Sequence, residues 1–74
     1  MPERNQWEDR AANLLKAELK RKGLTYAQLA ERLETVGVSD SERNIRNKIS
    51  RGKFTAAFLL ACLSAINVTD LRLS

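Results

Sequence analysis

Apolar residues recur along this chain at helical spacing, and the recurrence breaks at three glycines, Gly23, Gly37 and Gly52. Trp7, Ala11, Leu14, Leu15 and Leu19 fall at i, i+4, i+7, i+8 and i+12, one stripe of a helix. The stripe predicts a first helix over about Pro2 to Lys22. Trp7 continues it and is expected to pack on the core. Glu3, Glu8 and Asp9 lie early and Lys20, Arg21 and Lys22 late, an order that suits the helix dipole. A second helix is expected to start at Thr25, where Thr25 and Gln28 have capping-box spacing, and to end at Gly37. Tyr26, Leu29, Ala30 and Leu33 form its apolar face.

A third helix, over about residues 40–51, is expected after Val38, with Ser39 and Glu42 as a further capping-box pair and Gly52 as its stop. Ile45 and Ile49 are its only large apolar residues. A fourth helix begins at Thr55, with Phe54 and Leu59 placed as a hydrophobic staple. It carries Phe58, Leu59, Leu60, Cys62, Leu63 and Ile66, and as the most apolar element it is expected to be central. The tail, Val68 to Leu73, fits either a short fifth helix or an alternating strand. The whole, residues 1–74, reads as one all-α domain of four to five helices.

Composition narrows the function classes. With 13 Lys and Arg against 9 Asp and Glu, the formal charge is +4, which suits a polyanionic partner without proving one. There is no His and one Cys, so neither an internal disulfide nor a Cys/His zinc site can be built. Cys62 is expected to be a small core residue. The longest apolar run, Ala56 to Leu63, is far short of the ~20 residues that span a bilayer. A polar amino terminus without a signal sequence leads to the expectation of a cytoplasmic protein outside the membrane. No constellation suited to catalysis, metal binding or a cofactor is found, so the expectation is a binding protein and not an enzyme.

The third helix holds the candidate chemistry. At about 100° per residue, Ile45 and Ile49 define an inward edge. Asp40, Arg43, Asn47, Ser50 and Arg51 lie opposite, with Asn44 and Arg46 on the flanks. From Arg43 to Lys53 there are five cations and no anion. A helix of this kind fits the DNA major groove, where Arg pairs with guanine and Asn with adenine, while cations at the edges neutralise phosphates. A solvated basic face without a ligand is the other reading of the same pattern.

The runs Leu24-Thr25-Tyr26-Ala27-Gln28-Leu29-Ala30, Gly37-Val38-Ser39 and Asn44 to Lys53, closing on Arg51-Gly52-Lys53, resemble the phage-repressor and Cro-type helix-turn-helix. The chain also resembles a small bacterial group of uncharacterised domains of this build. The resemblance covers about Leu14 to Val68. It implies a lambda-repressor-like fold with helices 2 and 3 as the helix-turn-helix, and a transcriptional regulator bound to double-stranded DNA. Arg43, Asn44, Arg46 and Asn47 would meet bases. Thr25, Tyr26, Gln28, Arg51 and Lys53 would meet phosphates, although capping alone accounts for Thr25 and Gln28 equally well. Two spacings depart from the pattern: Ala30 to Gly37 is seven residues instead of four, and Val38 to Ile45 is two residues longer. The resemblance further implies a homodimer, through helix 4 (Ala57, Phe58, Ala61) or the tail (Val68, Leu71, Leu73). The competing function is a protein-interaction module of the same fold that does not bind DNA.

Overall fold

A computed structural model describes residues 5–73. Four helices follow one another: α1 (Gln6–Lys22), α2 (Tyr26–Glu34), α3 (Glu42–Arg51) and α4 (Ala56–Ala65). Among the described residues there is no strand, and no helix is long and apolar enough to cross a membrane.

Each helix starts on a side-chain cap. Asn5 and Glu8 form a reciprocal capping box on α1, and Thr25 and Gln28 form the expected one on α2. Ser41 caps α3 and Thr55 caps α4 through the amides of Asn44 and Phe58. The expected start of the first helix at Pro2 lies outside the described residues; within them α1 begins after Asn5. The Ser39–Glu42 box does not form. Asp40 accepts a hydrogen bond from the Ser41 amide, so α3 begins after Ser41 and Asp40 lies outside it.

The helices end in a recurring way. Leu24 N–H donates to the Leu19 carbonyl, Val38 to Leu33, and Val68 to Leu63, in each case across a residue with positive φ: Gly23, Gly37 or Asn67. These 6→1 bonds satisfy carbonyls that a helix end leaves open and return an apolar residue to the core. Gly37 therefore closes the second helix as expected, although its last turn, Thr35 to Gly37, is tighter than α.

One core joins the four helices. Leu15 and Leu19 of α1, Leu29 and Leu33 of α2, Ile45 and Ile49 of α3, and Phe58, Cys62 and Leu63 of α4 are buried together with Ile66. Helix α3 packs against α1 and α2, and α4 packs against α1 and α2. Burying each of these large side chains contributes about 1.5–3 kcal/mol. At Gly52, just past the end of α3, the backbone runs close against α1: a Cβ there would stand 2.9 Å from the Glu8 carbonyl carbon.

Three expectations fail here. Trp7 is 63% exposed and lies outside the core, its ring beside the Arg10 guanidinium at 5.3 Å; Ala12, not Trp7, completes the buried α1 stripe with Leu15 and Leu19. Phe58 points inward, with its ring 5.6 Å from that of Phe54, and so is not available to a second subunit. The tail is neither helix nor strand; Val68 and Leu71 pack against the core and the Leu73 carbonyl accepts a hydrogen bond from Arg10 at 2.6 Å. Ala57 and Leu73 are exposed and Ala61 half-buried.

Candidate functional site

Helix α3 docks by the narrow edge that its sequence offers. Ile45 and Ile49, one turn apart, are fully buried, so the residues on the opposite arc must face solvent. Arg43, Asn44, Asn47, Ser50 and Arg51 are all exposed. Arg43, Asn47 and Arg51 follow at intervals of one turn, making a row about 12 Å long at 1.5 Å per residue. Among the described residues neither Arg43 nor Arg51 makes an ion pair.

The other three cations of the segment have acidic partners. Arg46 pairs with Glu42 at 2.6 Å, and its guanidinium lies 5.8 Å from the centre of the Tyr26 ring. The Glu→Arg spacing of i, i+4 was a readable signal for this pair. Arg46 consequently leans toward the start of α2, away from the arc expected to meet bases. Lys53 reaches Glu8 at 3.3 Å, across the α1–α3 seam. Lys48 pairs with Asp40 at 2.6 Å and sits 4.6 Å from the Phe58 ring centre.

These pairs differ in how readily they exchange. Arg46 and Glu42 are 54% and 46% exposed, while Lys53 is 58% exposed against a Glu8 that is 25% exposed. Exposed ion pairs of this kind stabilise by about 0–1 kcal/mol, so a phosphate can replace the carboxylate at little cost. Asp40 is only 9% exposed. The hydrogen bond from Lys48 holds its carboxyl below the usual range against the opposing effect of burial, with a smaller contribution from Asn44. Lys48 is thus committed to fixing the segment before α3. No local spacing reveals this pair, because Asp40 reaches Lys48 only after the chain turns back.

Thr25 and Gln28 are both engaged in the α2 capping box: the Thr25 hydroxyl accepts from the Gln28 backbone N–H at 3.1 Å, and the Gln28 side-chain Oε1 accepts from the Thr25 backbone N–H at 2.8 Å. Tyr26 is half-buried and packs against the core. Among the sequence-expected residues, then, Arg43, Asn44, Asn47 and Arg51 share one exposed surface. Arg46 and Tyr26 meet at its edge with Thr25, and Lys53 stands at its far end. Among the described residues no three potential metal ligands lie together. Cys62 is fully buried, and desolvation pushes its thiol up to about 12.

The model of a family described as a domain of unknown function, DUF6471, matches residues 7–71. The chain belongs to that family. No curated protein and no solved structure matches it.

Proposed function

For this DUF6471 chain we propose a DNA-binding function, in which α2 and α3 act as a helix-turn-helix of lambda-repressor-like build and α3 enters the major groove. It is a regulator of transcription and not an enzyme. The observation that carries the reading is the row Arg43–Asn47–Arg51, exposed and without acidic partners among the described residues, opposite the buried Ile45 and Ile49. Its width suits the groove, and its donors suit guanine and adenine edges. Asn44 stands on one flank of the row. Arg46 moves from base contact to the rim, where its exchangeable pair with Glu42 suits a backbone phosphate.

Selection of bound duplexes from a random pool, followed by titration, tests the reading. Arg43→Ala or Asn47→Ala should cost about 1–3 kcal/mol on the selected site. Arg51→Ala should weaken binding to every sequence and reduce the salt slope by about one. A protein-interaction module is the second reading, favoured by the three paired cations and by Leu60, which is 66% exposed on α4. Failure of the wild-type protein to bind random duplex at low salt would replace the first reading with the second, since nonspecific electrostatic binding does not depend on sequence.

A further inference from the structure

A cleft of about 530 Å³ opens where the end of α1, the start of α2 and α3 converge. Lys16 and Lys20 line it from α1, Thr25 and Tyr26 from the start of α2, and Glu42 and Arg46 from α3. The two lysines are one helical turn apart on the same face, a spacing at which like charges repel. Neither has an acidic partner among the described residues. Arg46 adds a third cation, and the single carboxylate in the cleft, Glu42, is already paired with it. The lining therefore carries two uncompensated positive charges. Leu19 and Leu24 make part of it apolar, which weakens solvent screening of those charges.

We infer that this cleft binds a phosphoryl group, held by Lys16, Lys20 and Arg46. A phosphate monoester carries about −1.5 to −2 charges and three acceptor oxygens, matching the uncompensated charge and the three cationic donors that line the cleft. The Thr25 hydroxyl accepts from Gln28 and so keeps its own proton to donate. The Arg46 guanidinium can turn from Glu42 to the ligand because that pair is half exposed. The phosphoryl group can come from a free phosphate or from the backbone of a bound duplex; the site rests on the DNA-binding reading only in the second case.

Two arms of one experiment test the site and identify the source. The first follows amide shifts by NMR as inorganic phosphate is added, with chloride at matched ionic strength as control. Saturable shifts at Thr25, Tyr26 and Arg46 are expected. Lys16→Ala/Lys20→Ala should weaken them by roughly tenfold or more, the scale of losing charge-assisted hydrogen bonds. Lys22→Ala/Arg72→Ala, an equal change in charge outside the cleft, should leave them intact. Absent shifts, or shifts equal in wild type and the double variant, overturn the site. The second arm measures binding to random duplex as a function of salt. A slope reduced by about one in the double variant identifies the backbone phosphate as the ligand. An unchanged slope, with the phosphate shifts lost, identifies free phosphate. Phosphate shifts in a protein that binds no duplex retain the cleft and remove the DNA reading.

Discussion

Gly52 shows how one residue can be constrained twice. Its φ of +67° disfavours any side chain, and the α1 backbone at Glu8 fills the space that a Cβ would need. Gly37, at φ +83°, has only the first constraint, with nothing within 4 Å. Gly37→Ala should therefore cost about 1–2 kcal/mol. Gly52→Ala adds an overpacking penalty and should cost about 2–4 kcal/mol or more. Urea midpoints of the two variants check the difference, and equal losses would mean that the α1 backbone at Glu8 leaves room for a Cβ at Gly52. Asp40 makes a pH-dependent contribution. Its folded pKa lies below the unfolded value of 3.8, so its stabilisation is present above 3.8 and is lost as pH falls through the folded value. Asp40→Asn should lower stability at neutral pH and flatten the acid limb below pH 3.8, which urea titrations across that range will show. Cys62, fully buried with its thiol raised to about 12, should resist thiol reagents in the native protein and react once urea unfolds it.

At the scale of elements, the caps separate what the chain reveals locally from what it does not. Thr25 with Gln28, Thr55 before the apolar run of α4, and the three glycine stops are local patterns, and the structure uses each of them. Ile45 and Ile49 likewise fixed the inward edge of α3. Helix α3 is capped by Ser41 and not by Ser39, because two serines compete. Ser39 with Glu42 has the better local pattern, but Asp40 binds Lys48 and the Ser41 amide, and that tertiary contact moves the cap to Ser41. Ser41→Ala should thus cost about 1 kcal/mol, and Ser39→Ala almost nothing, in thermal melts. Trp7 lies on the α1 stripe yet outside the core for a related reason: a helix wheel gives the direction of a side chain but not where its neighbours stop. The core ends at Ala12. The ion pairs of Arg46, Lys48 and Lys53 draw their acids from three places, α3 itself, the segment before it and α1. Only the first had a sequence signature.

The whole molecule rests on a core of twelve buried apolar residues among those described, within a 74-residue chain, so its stability should be only several kcal/mol. A ligand present at 100 times its Kd would add about 2.7 kcal/mol. Selected duplex at that excess should raise the melting temperature by roughly 10–20 °C, at 4–8 °C per kcal/mol for a domain of this size. High salt should abolish the increment if the interaction is electrostatic. A melting temperature unmoved by duplex at low salt would count against DNA as the partner. The method of observation matters, because the single tryptophan of the chain, Trp7, stands in solvent beside Arg10 while the protein is folded. Its indole is already hydrated, so unfolding should hardly change its emission, and melts need a backbone signal such as circular dichroism. The same hydration leaves that fluorophore sensitive to whatever covers the corner where α1 begins, which gives an unlabelled optical report of docking there.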